Sequence, residues 1–329
     1  MASIALIACD HGFGHVRRAL LIAGGLVERG ARVTLFAPTA TVERLSGASG
    51  AGFRLMDFRT CTTEEALCAG SPETSRWIER LPTLAEFDLV VSDNLPEVLT
   101  VRPDAILSGS FLWHLALERV NAGIARNAEH LLAMHRPRML TSRVFAMPHL
   151  AQFPRMFYVG LCCAGPRPEA PGKDLLIACG GSEVMEQPFR SLIASIARDS
   201  QPPFPRVFVE PRLFPKAAPE WMQRATFDDA MYRLLGAAVC RAGVGTMTDC
   251  LWAKARVFTA SEAGNAEVEC NANSLAAIGV GEAAATPLDA FRGACGFATD
   301  SAARAAHLRA VEQVDFAGVR QIVDLLLAW

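Results

Sequence analysis

The sequence predicts an α/β protein built from two Rossmann-like domains that face each other across a cleft. Short apolar runs alternate with segments of helical periodicity, which is the pattern of a parallel sheet covered by helices. This alternation stops in a Pro- and Gly-rich stretch at 158–174 and then begins again. In each half, an apolar run also ends in glycines that open a helix, as in the ligand-binding turns of open α/β sheets.

The length of the chain agrees with two domains of ordinary size. A chain of 329 residues is longer than one hydrophobic core usually organises. We place an N-terminal domain at 1–157, a linker at 158–174 and a C-terminal domain at 175–305. The last residues, 306–329, are predicted to form a helix that crosses back to the first domain.

The individual elements follow from the local patterns, because strands appear as short apolar runs and helices as apolar residues three or four positions apart. In the first half, strands are expected at 3–9, 32–37, 53–56, 87–92, 105–109 and 143–147, and helices at 15–29, 41–45 and 115–135. In the second half, strands are expected at 175–179, 206–209, 237–240 and 257–260, and helices at 187–198, 227–235, 247–255 and 271–278.

The composition is that of a packed protein without a nucleic-acid-binding surface. Hydrophobic residues make up 51% of the chain and charged residues 20%, which separates it from disordered proteins. The 32 basic and 34 acidic residues give a net charge of −2, so no nucleic-acid partner is expected.

The ten cysteines are scattered, and none has the CxxC spacing of a zinc site. We therefore expect free thiols, no metal and a cytoplasmic location. No secretion signal is evident at the N-terminus, and no apolar run reaches the ~18–20 residues that span a bilayer. A peripheral membrane contact through a small patch of Phe111, Leu112 and Trp113 is left open.

The first glycine turn, 12–18 (Gly-Phe-Gly-His-Val-Arg-Arg), lies between an apolar run and a helical pattern that starts at about Val16. The N-terminal amides and the dipole of a helix favour negative charge at this point. His15 can accept or donate a proton there near neutral pH. The alternative is that His15 only caps or packs against the helix. The turn lacks the third glycine of the dinucleotide fingerprint and the Gly-Lys-Ser/Thr of a P-loop.

A second glycine turn follows the apolar strand at 175–179. Gly180, Gly181 and Ser182 place two flexible residues and a hydroxyl at the entrance of a helix. Such a turn can form a small anion-binding nest. An ordinary tight turn without a ligand is the alternative.

A third turn is the longest of the three, at 241–249 (Arg-Ala-Gly-Val-Gly-Thr-Met-Thr-Asp). Gly243, Gly245 and Thr246 open a helix towards a phosphate. Asp249, about one turn into that helix, can accept hydrogen bonds from a ribose diol. Its alternative role is that of a solvated first-turn acid, which the helix dipole favours.

The motifs of these turns resemble those of a known superfamily. Gly12, Gly14, His15 and Arg18 match the GxGHxxR motif of the UDP-sugar hydrolase of the pseudaminic acid pathway. The segment 241–256 runs without a gap against R-S-G-A-x-T-x-x-E of the N-acetylglucosaminyltransferase that forms lipid II. The following 265–279 matches its D-x-Q-Q-x-x-N-A-x-x-L pattern at Asn271, Ala272 and Leu275. The chain therefore resembles the GT-B glycosyltransferases over most of its length.

The resemblance implies a GT-B fold and an enzyme that acts on a nucleotide-diphosphate sugar, with UDP as the expected nucleotide and no cofactor. The C-terminal half would hold the nucleotide, and the N-terminal half would bring the acceptor and the catalytic base. His15 is the candidate base, with Asp93 or Asp10 at neighbouring strand ends as alternatives. The candidate binding residues are Gly12, Gly14, Arg18, Gly180, Gly181, Ser182, Gly243, Gly245, Thr246, Asp249, Glu267 and Asn271.

The chain departs from the transferase pattern where the donor sugar is bound. The two glutamines of that pattern fall on Glu267 and Val268, and the acid before them falls on Asn265. These departures leave the sugar undetermined. They also motivate a hypothesis without catalysis, in which the chain is a nucleotide- or sugar-binding protein.

Two hypotheses with catalysis remain open beside the non-catalytic one. The first is a metal-independent, inverting glycosyltransferase, because no paired carboxylates suggest a retaining mechanism. The second is a nucleotide-sugar hydrolase, in which His15 activates water. The acceptor is undetermined in the first reading.

Overall fold

The computed structural model describes residues 1–46, 52–60, 64–70, 73–117, 119–163, 165–180, 182–198 and 201–329. The chain forms two compact units. The first contains Met1–Cys162 together with Phe316–Trp329, and the second contains Cys163–Asp315.

The first unit is built on a seven-stranded parallel sheet in the order β3-β2-β1-β4-β5-β6-β7. Its strands are β1 (Ser3–Ile7), β2 (Arg32–Ala37), β3 (Arg54–Asp57), β4 (Leu89–Asp93), β5 (Ile106–Ser108), β6 (Met139–Ser142) and β7 (Met156–Val159). Its helices are α1 (Phe13–Glu28), α2 (Thr39–Ser46), α3 (Glu64–Ala69), α4 (Glu73–Arg80), α5 (Trp113–Ala116), α6 (Ala122–His135) and α13 (Gly318–Ala328). Two 3₁₀ helices lie at Pro96–Thr100 and Pro148–Gln152.

The second unit has a six-stranded parallel sheet in the order β10-β9-β8-β11-β12-β13. Its strands are β8 (Asp174–Ala178), β9 (Val207–Val209), β10 (Met222–Arg224), β11 (Leu235–Arg241), β12 (Arg256–Ala260) and β13 (Gly281–Ala284). Its helices are α7 (Glu183–Ile196), α8 (Asp229–Tyr232), α9 (Val244–Trp252), α10 (Ala266–Ala277), α11 (Pro287–Thr299) and α12 (Ser301–Val311), with a 3₁₀ turn at Pro211–Leu213.

These two sheets confirm the predicted pair of Rossmann-like α/β domains. In both, the first strand in sequence lies inside the sheet and the connections cross over helices, as parallel pairing requires. Of the stretch predicted as a linker, residues 158 and 159 complete β7 and residue 174 begins β8. Of the predicted C-terminal helix, 306–311 ends α12 and 318–328 forms α13.

Helix α13 packs on α1 within the first unit. A Cβ atom at Gly25 would lie 3.0 Å from methyl groups of both Val319 and Val323, so the two helices approach closely where α1 has no side chain. Ile322 and Leu326 are 2% and 1% exposed in the same apolar core as β1 and β2. The last helix therefore completes the first core by burying apolar surface.

The second core lies under α7 and α11. Phe189 of α7 and Phe258 of β12 are 0% and 1% exposed, and Phe297 of α11 packs on Phe258 with the ring centroids 5.9 Å apart. Strand β8 is buried along its whole length between β9 and β11. A strand that is buried on both faces has a continuous apolar sequence, and such a run at 175–179 predicted this strand.

The strand predicted at 143–147 is wrong. The Oγ atom of Ser142 accepts hydrogen bonds from the N–H groups of Val144 (3.1 Å) and Phe145 (3.3 Å), which turns the chain at the end of β6. A serine that binds the backbone two or three residues ahead competes with sheet pairing in this way. Phe145 lies in this turn and its side chain is fully buried. Its apolar side chain therefore gives the segment the sequence pattern of a buried strand.

The single helix predicted at 115–135 is also wrong, because the structure divides it into α5 and α6. The side chain of Asn121 accepts a hydrogen bond from the N–H of Gly123 (2.8 Å) and caps α6. Asparagine is among the preferred residues at this position, so it starts a new helix where helical periodicity suggests a continuous one.

Candidate functional site

In the first unit, a glycine turn joins β1 to α1. Gly12 has φ 79° and ψ 165°, a conformation that L side chains rarely adopt. Helix α1 begins at Phe13 rather than near Val16, so Gly14 and His15 lie in its first turn. Neither a capping side chain at Gly12 nor an acidic residue in this turn neutralises the helix N-terminus.

His15, Asp93 and Arg18 form a hydrogen-bonded cluster at this helix N-terminus. Asp93 ends β4, the strand next to β1, which brings it to the glycine turn. The Nδ1 atom of His15 lies 3.0 Å from Oδ1 of Asp93. The guanidinium of Arg18 donates to the same carboxylate, from Nη2 to Oδ1 (2.5 Å) and from Nε to Oδ2 (3.2 Å). The candidate base and the predicted Asp93 are therefore in direct contact.

The cluster is shielded from solvent, and its electrostatics keep the carboxylate charged. The side chains of His15, Asp93 and Arg18 are 13%, 7% and 18% exposed. Burial by itself raises the pKa of Asp93, but the charges of Arg18 and His15 and their hydrogen bonds outweigh it, so this pKa lies below its ordinary value. Asp93 thus acts as an ionised hydrogen-bond acceptor for His15.

Two aromatic rings pack near His15. The ring of Phe111 lies 6.1 Å from that of His15, and Trp113 lies 5.9 Å away. His11 packs edge-on against Trp113 at 5.0 Å. Phe111, Leu112 and Trp113 are 3%, 1% and 7% exposed. The membrane contact that was left open for these three residues is therefore wrong, because all three side chains are buried.

Asp10, the other candidate base, precedes the turn and is bound to Thr60. Its Oδ1 atom accepts a hydrogen bond from the hydroxyl of Thr60 (2.5 Å), and Thr60 is fully buried.

Beyond β4, Asn94 adopts a left-handed conformation with φ 57°. A Cβ atom at Gly109 would overlap the side-chain amide of Asn94, so only glycine fits there.

In the second unit, the turn after β8 leads into α7. Gly180 has φ 62°, and the Oγ atom of Ser182 caps α7 by accepting from the N–H of Met185 (3.3 Å). The N–H of Gly180 donates to Oε2 of Glu210 (3.1 Å). Gly181, the third residue predicted for this nest, lies outside the described residues.

The turn after β11 leads into α9, which begins at Val244 rather than at Met247. Gly243 is the N-cap residue, and Gly245 and Thr246 lie in the first helical turn after Val244. The first turn carries no side-chain cap and no acidic residue. Asp249 is only 5% exposed, so its alternative interpretation as a solvated acid is wrong.

Arg241 lies between the two glycine turns of this unit and is not among the residues that the sequence predicts for the site. A Cβ atom at Gly180 would be 3.8 Å from Cβ of Arg241, and one at Gly243 would be 3.9 Å from its Nη1. Glu262 holds the guanidinium through contacts to Nε (2.5 Å) and Nη2 (3.4 Å). The Glu262 side chain is 6% exposed, and no sequence pattern marks it as the partner of an arginine 21 residues earlier.

Helix α10 is connected to the same turn. Nδ2 of Asn271 donates to the carbonyl of Ala242 (3.0 Å) and to Oε1 of Glu267 (3.2 Å). Asn265 caps the helix by accepting from the N–H of Val268 (3.3 Å). Asn271 is fully buried, and its Oδ1 atom has no hydrogen-bond partner. The structure therefore joins the predicted residues Asn271 and Glu267 and connects Asn271 to the backbone that precedes Gly243.

In the part of the chain that the structure describes, no group of three His, Cys, Asp or Glu residues is placed to hold a metal ion. No described helix is long and apolar enough to cross a membrane. Nine cysteines are free thiols, and Cys61 lies outside the described residues.

Comparison with solved structures identifies the fold as GT-B, the fold of a large class of glycosyltransferases. No protein-family model and no curated protein sequence matches the chain. The structural similarity nevertheless extends over essentially the whole chain.

Three of the similar structures illustrate its extent. LpCGTa in complex with UDP has a TM-score of 0.69 and 16% identity, and the match covers 99% of this chain and 98% of that one. The glycosyltransferase SnogD from Streptomyces nogalater has a TM-score of 0.64 and 15% identity, with 100% and 99% covered. The spinosyn rhamnosyltransferase SpnG with thymidine diphosphate has a TM-score of 0.65 and 14% identity, with 98% and 100% covered.

Proposed function

We propose that this protein is a metal-independent, inverting glycosyltransferase that uses a nucleotide-diphosphate sugar, with UDP as the nucleotide. The observation that carries the proposal is the contact between His15 and Asp93 at the N-terminus of α1. The GT-B fold supports it, and so do the nucleotides in related structures, UDP with LpCGTa and thymidine diphosphate with SpnG.

In the proposed reaction His15 removes the proton of the acceptor hydroxyl. When Nδ1–H donates to Asp93, the lone pair of the imidazole is on Nε2, which takes the proton. The acceptor oxygen forms a bond to the anomeric carbon of the donor sugar. The bond from that carbon to the diphosphate oxygen breaks, and the nucleoside diphosphate leaves with the electron pair. A single displacement of this kind inverts the anomeric centre.

Asp93 orients His15 and stabilises the imidazolium that forms. Its carboxylate is buried and ionised, which makes it a strong acceptor for Nδ1–H. Arg18, predicted as a ligand-binding residue, donates two hydrogen bonds to this carboxylate. In the proposal Arg18 keeps Asp93 charged, and a role in ligand binding stays a prediction.

The second unit binds the nucleotide in this proposal. The uncapped N-terminus of α9 provides amides of Gly245 and Thr246 for the diphosphate, and Arg241 provides a fixed positive charge. These groups stabilise the leaving diphosphate without a metal ion. Asp249 is assigned to the ribose by its resemblance to the transferase motif, and Glu267 and Asn271 are assigned to the donor end of the site.

Hydrolysis of the nucleotide sugar is the second candidate function. It is favoured by the GxGHxxR motif of residues 12–18, which resembles that of a UDP-sugar hydrolase. His15 would then remove a proton from water instead of a sugar or aglycone hydroxyl, and the remaining steps would be unchanged.

One assay separates these functions. UDP release is measured from a panel of UDP-sugars, first without an acceptor and then with a panel of hydroxyl acceptors. Release that requires an acceptor supports the transferase, and rapid release into water supports the hydrolase. Activity that persists in EDTA supports metal independence, and its loss would contradict it.

His15→Gln is the decisive variant in this assay, and His11→Gln is its matched control. Both histidines lie near Trp113, and Asp93 forms a hydrogen bond with Nδ1 of His15. We expect loss of UDP release in His15→Gln and its retention in His11→Gln. Nucleotide binding that persists in a wild-type protein without any turnover would instead support a non-catalytic binding protein.

A further inference from the structure

Glu210 places a carboxylate on the glycine turn of α7. It follows β9, which pairs with β8, so both strands end at the same edge of the sheet. Its Oε2 atom accepts hydrogen bonds from the N–H groups of Cys179 (2.9 Å) and Gly180 (3.1 Å). Backbone amides after such a strand are the groups that bind phosphate in nucleotide sites. A side chain of the protein therefore occupies two of the donors that a ligand phosphate would use.

Arg212 fixes this carboxylate in place. Its Nε atom lies 2.7 Å from Oε1 of Glu210, and its Nη2 donates to the carbonyl of Ser182 (3.0 Å). It also lies 3.6 Å from Glu186. The side chain of Glu210 is only 12% exposed, so the contact with the amides is part of the folded turn.

The N-termini of α7 and α9 therefore differ in charge. Helix α7 has the Ser182 cap, Glu183 and Glu186 in its first turn, and the Glu210 carboxylate on the preceding amides. Helix α9 has no side-chain cap and no acid in its first turn. Because negative charge at a helix N-terminus offsets the dipole, α7 is the weaker anion site of the two.

The two turns are close enough to act on one ligand. The side chain of Arg241, which precedes the α9 turn, approaches the position of a Cβ atom at Gly180 within 3.8 Å. A diphosphate that contacts Arg241 therefore lies within electrostatic range of the carboxylate on the amides of Gly180. Like charges at such a distance oppose binding.

We propose that Glu210 is a specificity-determining residue of the nucleotide site. Its carboxylate takes the place of a ligand phosphate at the α7 turn and restricts ligand phosphates to the α9 turn. This inference rests on the proposed function, because it concerns the site that would hold the nucleotide. Each phosphate added to the nucleotide then increases the affinity of the protein for it less than it would if the amides of Cys179 and Gly180 were available.

Calorimetric titrations with uridine, UMP, UDP and inorganic pyrophosphate test the proposal on four proteins. These are the wild type, Glu210→Gln, Glu210→Ala and the control Glu186→Gln, which removes a nearby acid that is not bound to the turn amides. Glu210→Gln keeps the shape of the side chain without its charge, and Glu210→Ala exposes the amides. Thermal unfolding checks that each variant is folded.

We expect both Glu210 variants to bind UDP and pyrophosphate at least about tenfold more tightly than the wild type, the factor that corresponds to about 1.4 kcal/mol. The gain should be smaller for UMP and absent for uridine. Glu186→Gln removes a first-turn charge but leaves the amides occupied by Glu210, so its gain should be clearly smaller than that of either Glu210 variant. Unchanged or weaker binding of UDP and pyrophosphate in both Glu210 variants would overturn the proposal, as would an equal gain in Glu186→Gln.

The pyrophosphate titrations separate this inference from the proposed function. If no protein binds a uridine ligand while the Glu210 variants gain affinity for pyrophosphate, the proposed function fails and the role of Glu210 stands. If UDP binds and the Glu210 variants gain nothing, the role of Glu210 fails alone. If no protein binds pyrophosphate, the role of Glu210 also fails.

Discussion

The glycine turns that open α1 and α9 have the same backbone design but different side chains. Each follows a buried parallel strand, and each helix begins without a capping side chain or an acidic residue in its first turn. At α1, the carboxylate of Asp93 binds His15 and Arg18. At α9, the first turn contains Gly245 and Thr246, and Arg241 at the end of the preceding strand is paired with Glu262.

This difference divides the proposed chemistry between the two units. A charged dyad at a helix N-terminus suits proton transfer, because the carboxylate fixes the tautomer and orientation of the imidazole. Bare amides with a fixed guanidinium suit a diphosphate. In the proposal, the same strand–turn–helix arrangement therefore serves catalysis at α1 and anion binding at α9, and a few side chains make the difference.

The largest expected effect is that of His15→Gln on the rate. We expect the rate of UDP release from the preferred UDP-sugar to fall by about 10²- to 10⁴-fold, the usual contribution of a general base. The affinity for UDP should remain that of the wild type, because the nucleotide groups belong to the second unit. A rate within a few-fold of the wild type would remove His15 from the role of base.

Arg241→Met should have the opposite signature, a loss of nucleotide affinity. We expect Kd for UDP to rise by about 10- to 100-fold, which corresponds to the loss of a hydrogen bond to a charged group. Calorimetry measures Kd, and uridine without phosphates serves as the control ligand, whose affinity should not change. A Kd for UDP equal to that of the wild type would contradict the assignment of Arg241.

This variant needs a stability control, because it leaves the buried carboxylate of Glu262 without its partner. The double variant Arg241→Met/Glu262→Gln removes that unpaired charge. It should recover thermal stability while UDP affinity stays low. Recovery of UDP affinity in the double variant would mean that Arg241 acts only on the fold.

Arg18→Met should produce a smaller effect that depends on pH. The charge of Arg18 is the largest influence that lowers the pKa of Asp93 against the opposing effect of burial, so its removal raises that pKa. Protonated Asp93 then ceases to accept from His15 at a higher pH than in the wild type. We expect the rate at about pH 5.5 relative to pH 7.5 to fall by a further factor of about 3 to 10.

The affinity of Arg18→Met for UDP serves as the matching control for Arg241→Met. If Arg18 acts only through Asp93, UDP binding should stay within about twofold of the wild type. An unaltered pH profile together with weaker UDP binding would move Arg18 to the ligand site.

The smallest expected effect concerns acid stability and His307 in the second unit. This residue is 1% exposed, Nε2 bonds the carbonyl of Lys254 (3.0 Å) and Nδ1 has no partner. Burial lowers the pKa of His307 to about 4. As the pH falls, the imidazole of His307 is protonated in the unfolded chain before it is protonated in the folded protein. The contribution of His307 to the free energy of unfolding is therefore fully present above about pH 6.5 and is lost as the pH falls towards 4.

His307→Gln removes this titration and keeps a donor for the Lys254 carbonyl. Between about pH 7 and pH 5, the wild type should lose about 2 kcal/mol more stability than the variant, or about 4–8 °C in the Tm of the second unit. Calorimetric melting at both pH values measures the difference. Parallel losses in the two proteins would contradict the assigned pKa shift.

The sequence predicted the two sheets and the glycine turns because these features are local. Apolar runs such as 4–9 and 175–179 need no partner in order to be recognised. Boundaries failed where a polar side chain redirected the backbone, as Ser142 does after β6 and Asn121 does before α6. Those hydrogen bonds compete with the local pattern and are not visible as periodicity.

The candidate site could be predicted only as a set of turns and single residues. Asp93 was predicted because it ends a strand, but its contact with Arg18 joins residues 75 positions apart. The partners Glu262 and Glu210 carry no motif, and they reach Arg241 and the Gly180 amides only through the order of strands in the sheet. Such ion pairs depend on tertiary structure, which periodicity does not encode.

Hydrogen–deuterium exchange of the wild-type protein with and without saturating UDP tests the division of labour most directly. We predict slower exchange of the amides at 244–247, where the uncapped N-terminus of α9 would bind the phosphates, and unchanged exchange at 13–16 in α1. Protection at 13–16 without protection at 244–247 would contradict the account, because the nucleotide would then be bound by the turn that carries the proposed base.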